Sequence, residues 1–284
     1  MITRFAPSPT GPLHLGHAYS ALYAYDLARK SGGTFLLRIE DIDQSRARPE
    51  WETQIYKDLE WLGIEWELPV MRQSERLGIY DEALITLWKQ RLIYECSCKR
   101  RDIQEALSAP QEGVTPVMGP DGVVYPGICR NKNRSETMPK GAALRLDIRK
   151  ALQQITSPIG FEELVYVDDV TSPTHEAIID EIGDIVVARK EMGTSYHLSV
   201  VIDDAAQGIT DVVRGEDLFE ATAIHVVLQR LLNLPTPRYH HHRLIRDENG
   251  KRLAKRDDAR AISKFREEGY SPADFRRMVS LPAA

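Results

Sequence analysis

Apolar positions recur along the chain with two different periods, and the switches between them mark out elements. Ile2 to Phe5 reads as a short strand, followed by a Pro/Gly-rich loop, Pro7-Ser8-Pro9-Thr10-Gly11-Pro12. Leu15, Ala18, Ala21, Leu22, Tyr25, Leu27 and Ala28 fall at helical spacing and predict a helix over 17–30, ended by Ser31-Gly32-Gly33. Thr34 to Ile39 is an apolar run of strand length. Strand, loop, helix and strand in that order form a β-α-β unit, which belongs in a parallel sheet. Helical patterns follow at 49–62 and 74–91. Near Tyr94 the texture changes: 96–133 is rich in cysteine, proline, glycine and clustered basic residues, as expected of an insertion between two halves of a nucleotide-type fold. Strand-like runs return at 143–147, 164–167 and 184–188. The stretches 199–202 and 211–213 are short and β-branched, the former also readable as a helix start, and 218–232 is an amphipathic helix.

Composition narrows the class. The chain has 284 residues, 42% hydrophobic and 28% charged, which fits a soluble globular protein and excludes a disordered or fibrous one. The absence of a run of about 18 apolar residues argues against a transmembrane helix, and no secretory pattern opens the chain. Three cysteines point to a reducing cytoplasm and to thiols that are ligands or free. With a net charge of −5, contact with nucleic acid calls for a local basic patch. The stretch from Arg243 to Arg277 supplies one, with eleven Lys/Arg against seven Asp/Glu.

The most informative residues open the first helix. His14 and His17 lie three apart, so both rings can face the same way. A helix start already offers free N–H groups and a positive dipole end to an anion, and two imidazoles add donors for phosphate oxygens. Gly16 leaves room for a flat base against the backbone. A pair of capping histidines is the plainer reading of an isolated H-x-G-H. Its position after a strand and a Pro/Gly loop favours a nucleotide.

The stretch from Arg4 to Gly11, followed by Leu13-His14-Leu15-Gly16-His17, resembles the first signature of class I aminoacyl-tRNA synthetases of the glutamyl/glutaminyl branch. Gly250-Lys251-Arg252-Leu253-Ala254-Lys255-Arg256 resembles that family's second signature. The resemblance implies an α/β fold with a Rossmann-like parallel sheet, an inserted zinc-binding or acceptor-type subdomain and a short helical C-terminal stem-contact region. The corresponding division is 1–94 and 181–242 for the two catalytic halves, 95–180 for the insertion and 243–284 for the second-signature loop and helices. It implies catalytic roles for His14, His17 and Lys255, and an ATP site of His14, Gly16, His17, Arg252, Leu253, Ala254, Lys255 and Arg256. Ala254 stands where the family usually has serine.

Glutamate is the substrate implied by this branch. Its carboxylates need cations, best supplied by arginine forks, and its ammonium needs an acceptor. The resemblance assigns this pocket to Arg4, Phe5, Ala6, Pro7, Ser8 and Glu40. Ser195 to Asp204 and Thr210 to Asp217 resemble two further family segments and add Tyr196 and Arg214. Val200 stands where related enzymes often carry asparagine, and a lost polar contact there predicts weaker glutamate binding by about 1–3 kcal/mol.

Cys96, Cys98 and Cys129 fall in the expected insertion, with Lys99, Arg100 and Arg101 beside them, and favour a structural zinc site over incidental thiols. No histidine lies between His17 and His175, so a fourth local ligand is of another type. In related synthetases the pattern C-x-C then Y-x-x-x-C makes it a tyrosine, here Tyr125. His240 to His242 cannot converge on one ion, because adjacent residues alternate in an extended segment. They read as strand or loop residues, some of them lining the ATP site. His175, His197 and His225 read as ordinary structural histidines.

The resemblance extends to about Arg277 and leaves no room for an anticodon-reading body. The chain therefore resembles the short paralogues of this branch. That resemblance implies a monomer, without a membrane partner, that uses ATP with Mg2+ to activate L-glutamate and esterifies it to queuosine at the wobble position of tRNA(Asp). Arg130, Lys132, Arg134 and the basic tail are candidate phosphate contacts. The competing readings are a minimal glutamyl-tRNA synthetase charging a tRNA 3′ end, another nucleotidyltransferase with a small acceptor, and a non-catalytic tRNA-binding paralogue.

Overall fold

A computed structural model describes residues 1–108, 116–167, 169–246 and 260–282. The chain begins with β1 (Ile2–Phe5), α1 (Leu15–Lys30), β2 (Thr34–Ile39), α2 (Pro49–Trp61), β3 (Glu67–Arg72), α3 (Leu77–Lys89) and β4 (Ile93–Glu95). Next come α4 (Arg100–Ser108), the short strands β5 (Met118–Gly119) and β6 (Gly122–Val123), β7 (Leu144–Leu146), α5 (Ile148–Gln154), β8 (Phe161–Glu163) and β9 (Asp169–Thr171). The helical turn α6 (His175–Ala177), β10 (Val186–Ala188), α7 (Tyr196–Ala206), β11 (Asp211–Gly215), α8 (Thr222–Leu231), β12 (Arg238–His242), α9 (Ile262–Glu267) and α10 (Pro272–Met278) complete it.

Two parallel sheets carry the site. β1 pairs with β2 and β2 with β3, all parallel. β11 pairs with β12 and β12 with β8, also parallel, while β9 closes that sheet antiparallel. β1 and the start of β11 meet edge to edge: Thr210 N donates to Ile2 O at 3.0 Å and Ile2 N to Thr210 Oγ1 at 2.8 Å. A third sheet, antiparallel, is made of β4, β7 and β10. Small buried residues of α1, Ala18, Ala21 and Ala24, let the helix lie close over β1 and β2. Phe265 of α9 and Phe275 of α10 join the same apolar cluster, and Arg276 grips Asp26 of α1 with two bonds of 2.7 and 2.8 Å. A second cluster unites α3, α5, α7 and α8.

The expected β-α-β unit is present, with the helix starting at Leu15. Three details refine the sequence expectation. The strand expected at 164–167 lies instead at Phe161–Glu163, because Glu163 Oε1 accepts from Val165 N and Tyr166 N, both at 2.9 Å, and turns the chain out of the ladder. β3, for which the sequence offers no expectation, carries Pro69 and sits at a sheet edge, where a missing N–H is tolerated. Residues 199–202 belong to α7, started by Ser195 Oγ accepting from Leu198 N. Within 95–180, β8 and β9 join the sheet of β11 and β12. No described helix is long and apolar enough to cross a membrane.

Candidate active site

The C-terminal ends of β1, β2, β11 and β12 open into one cavity of about 340 Å³. Open α/β sheets bind ligands at such strand ends, where the strand order reverses. β1 brings Arg4 and Phe5, the turn after β2 brings Glu40, β11 brings Arg214 and Gly215, and β12 brings His242. The start of α1 adds His14, Gly16 and His17, and Tyr196 comes from the start of α7.

His14 and His17 do cap α1, as the plainer reading had it, yet both also line the cavity. Gly16 N donates to His14 Nδ1 at 3.1 Å, and His14 N donates to His17 Nδ1 at 3.2 Å. The two rings stack with centroids 3.7 Å apart. Because each Nδ1 accepts, the neutral ring carries its proton on Nε2, so capping leaves each histidine one N–H as a donor. Gly16 has little room for a side chain: an added Cβ would stand 3.2 Å from His14 Cε1.

Two arginines line the cavity, and their surroundings differ. Arg4 Nε donates to Asp204 Oδ1 at 3.0 Å and Arg4 Nη1 to Val213 O at 3.2 Å. Asp204 also takes Arg38 Nη1 at 2.8 Å. Burial resists ionisation of Asp204, but these two arginines outweigh it and hold its carboxyl below the usual range. Arg214 has no carboxylate in hydrogen-bond contact among the described residues. Its Nε donates to His241 Nε2 at 3.0 Å, its Nη1 to His225 Nδ1 at 2.9 Å and its Nη2 to Thr222 Oγ1 at 2.6 Å. Glu40 is buried, and burial raises its carboxyl above the ordinary value although Arg38 and Arg4 pull the other way.

A second cavity of about 490 Å³ shares Glu40 and Tyr196 with the first and adds Ser8, Asp43, Asp121 and Arg189. Of the residues expected to bind glutamate, Arg4, Phe5, Ala6, Glu40, Tyr196 and Arg214 line the first cavity. Ser8 lines the second, and Pro7 acts through its backbone, its carbonyl accepting from Glu40 N at 3.0 Å. Val200 is packed in the apolar core and lines neither cavity, so the weaker binding expected from it has no contact to act through. The segment with Arg252, Leu253, Ala254, Lys255 and Arg256 lies outside the described residues. Sequence reasoning missed Ser20, which meets His242 Nε2 at 2.7 Å, and the two histidines on Arg214. Only the folded sheet brings these groups together. The three consecutive histidines do diverge: His240 faces Asp211, His241 faces Glu163 and His242 faces the cavity.

The cysteines form a compact group. All three thiol sulfurs lie within 4.8 Å of one another, and Cys98 and Cys129 are 3.5 Å apart. Tyr125 Oη lies 3.5 Å from Cys96 Sγ and 3.2 Å from Cys98 Sγ. A tetrahedral zinc site with Zn–S near 2.3 Å has edges of ~3.8 Å, so three sulfurs and one phenol oxygen fit such an ion with small adjustment. Burial pushes the Cys129 thiol up, but hydrogen bonds from Tyr125, Ser97, Cys98 and Lys132 outweigh it and bring it down to about 6. The Arg145 guanidinium lies 4.0 Å from the Tyr125 ring centroid, while burial and the hydrogen bonds with the three thiols raise the Tyr125 phenol above its ordinary value. Two of the expected phosphate contacts are engaged elsewhere: Arg130 Nε binds the buried Asp184 at 2.8 Å, and Arg134 Nη1 binds Arg91 O at 2.6 Å.

Parallel sheets meeting at a phosphate-type helix start, with arginines at the strand ends, define a nucleotide-binding type of α/β protein. The family described as tRNA synthetases class I (E and Q), catalytic domain, matches residues 1–282, and the chain belongs to it. Among curated relatives, a glutamyl-Q tRNA(Asp) synthetase of Rhodobacter capsulatus is 60% identical, over 99% of this chain and 100% of its own. One of the same name from Geobacter sulfurreducens is 38% identical over 94% of this chain and 79% of its own. A solved glutamate tRNA ligase from Elizabethkingia meningosepticum, in complex with its amino acid, superposes with TM-score 0.74 at 29% identity. This chain is 99% covered in that comparison and spans 60% of the ligase.

Proposed function

We propose that the protein activates L-glutamate with ATP and transfers the glutamyl group to queuosine at the wobble position of tRNA(Asp). The observation that carries this reading is the cavity itself. It joins a two-histidine helix start to a carboxylate-binding arginine and a buried carboxylate, in a chain 60% identical end to end to a glutamyl-Q tRNA(Asp) synthetase.

Glu40 accepts the amino acid's ammonium, Arg4 and Arg214 face its carboxylates, and Tyr196 closes the wall between the cavities. A glutamate α-carboxylate oxygen attacks the α-phosphorus of ATP, the bond to the β-phosphate oxygen breaks, and pyrophosphate leaves. His14 and His17 donate Nε2–H bonds to phosphate oxygens, and Lys255, from the segment outside the described residues, neutralises the triphosphate. Mg2+ arriving with ATP supplies further charge neutralisation. No protein nucleophile is required, so positioning and electrostatics account for the rate. The acceptor approaches through the second cavity. A hydroxyl oxygen of the modified base attacks the acyl carbon, AMP departs, and the hydroxyl proton goes to solvent. Cys96, Cys98, Tyr125 and Cys129 line neither cavity and would hold a structural zinc ion.

Glutamate-dependent exchange of labelled pyrophosphate into ATP, in the absence of RNA, tests the first half. Exchange with glutamate and not with glutamine or aspartate is expected. Absence of exchange with every amino acid would leave a tRNA-binding protein without activation chemistry.

A further inference from the structure

Arg214 is anchored in an unusual way for a buried arginine. Arg4 and Arg38 in the same region are neutralised by Asp204. Around Arg214, two imidazoles take the places that carboxylates would ordinarily occupy. A guanidinium can only donate, so His225 Nδ1 and His241 Nε2 must both be unprotonated acceptors. Each ring then carries its proton on the other nitrogen and passes the polarity outward. His225 Nε2 faces His197 Nδ1 at 3.1 Å, and His197 Nε2 lies 3.4 Å from Asp121 Oδ1, in the turn between β5 and β6. His241 Nδ1 is bonded to Glu163. The carboxylates are thus set one or two rings back from the guanidinium.

Resting on the proposed glutamate pocket, we propose that His225 and His241 are positioning residues that fix Arg214 while leaving its positive charge uncancelled for a carboxylate of the amino acid. A carboxylate at either place would orient the arginine equally well, but it would neutralise the field that the substrate has to feel in a buried site. Neutral imidazoles supply the acceptor without the charge. Burial first, and the Arg214 charge second, hold His225 far below the ordinary imidazole value, and burial lowers His241 despite Glu163. Both shifts favour the neutral ring that the hydrogen-bond geometry requires.

The test is a pair of variants at one position. In His225→Gln the amide oxygen accepts from Arg214 and the amide nitrogen donates to His197, so both bonds are retained without charge. In His225→Glu the acceptor is retained and the charge of Arg214 is cancelled. The Gln variant is expected to keep the KM for glutamate within about threefold of the parent. The Glu variant is expected to raise it about tenfold or more with kcat and the KM for ATP little changed. A Glu variant that binds glutamate like the parent, or Gln and Glu variants that lose affinity equally, would overturn the proposal. Long-range ¹H–¹⁵N spectra of the parent at pH 7 need no variant. His225 as the neutral Nε2–H tautomer and His241 as the neutral Nδ1–H tautomer are expected, and an imidazolium at either position would overturn the inference. Arg214→Gln leaving the KM for glutamate unchanged would instead overturn the pocket reading beneath it.

Discussion

Glu40 is the residue whose chemistry is most exposed to pH. Burial lifts its carboxyl above the ordinary value of 4.5, with Arg38 and Arg4 opposing. Only the ionised form accepts an ammonium group, so glutamate affinity should fall as pH drops through the raised value, earlier than for a solvated carboxylate. KM for glutamate measured from pH 8 down to pH 5 at saturating ATP should rise on the acid side. Glu40→Gln should raise KM about tenfold or more at neutral pH and remove that dependence. A parallel rise in the variant would place the titrating group elsewhere. Gly16 offers a second check at this scale. Its Cβ position lies 3.2 Å from the His14 ring, so Gly16→Ala should displace the imidazole and reduce kcat/KM for ATP about tenfold, with the KM for glutamate held.

At the scale of elements, the start of α1 and the cysteine group carry the account. The β-α-β unit was legible because its periodicity and its glycine stop are local signals. The strand at Phe161–Glu163 was not, since the shift depends on the Glu163 side chain capturing two backbone N–H groups. β3 was not singled out either; its Pro69 is tolerated because the strand lies at a sheet edge. Arg4, Glu40, Tyr196 and Arg214, which line the cavity, were singled out through family wording. His225 and His241 were not, because their role exists only once α8 and β12 meet at Arg214. In the cysteine group, Tyr125 and three thiols fit a structural ion, so metal and fold should be coupled. Cys129→Ser, or treatment with a strong chelator, should lower the unfolding temperature by several degrees. One zinc per chain by elemental analysis should fall toward none. Unchanged stability in the metal-free protein would remove the structural role.

At the scale of the whole molecule, buried carboxylates paired with cations or imidazoles tie α7 to the first parallel sheet and the strands of the second to one another. Burial pushes the carboxyls of Asp204, Asp211 and Glu163 up, but their partners outweigh it: Arg4 and Arg38 for Asp204, His240 and Arg238 for Asp211, and His241 for Glu163, which falls to about 2. A carboxyl whose folded value is depressed stabilises the fold above its unfolded value, and that stability is lost as pH falls through the folded one. The unfolded values are 3.8 for the aspartates and 4.5 for Glu163. The unfolding temperature should therefore drop from about pH 5 down to about pH 2, against the opposite contributions of Glu40 and Asp58, whose carboxyls are raised. Glu163→Gln should flatten part of that drop.

The acceptor is the central claim, and one measurement meets it directly. Labelled glutamate, ATP and Mg2+ are supplied with three RNAs: tRNA(Asp) bearing queuosine, tRNA(Asp) lacking it, and tRNA(Glu). The account predicts label on the first alone, attached to the modified base. Label on tRNA(Glu), or on tRNA(Asp) lacking queuosine, would contradict it and make the protein a small synthetase that charges the 3′ end.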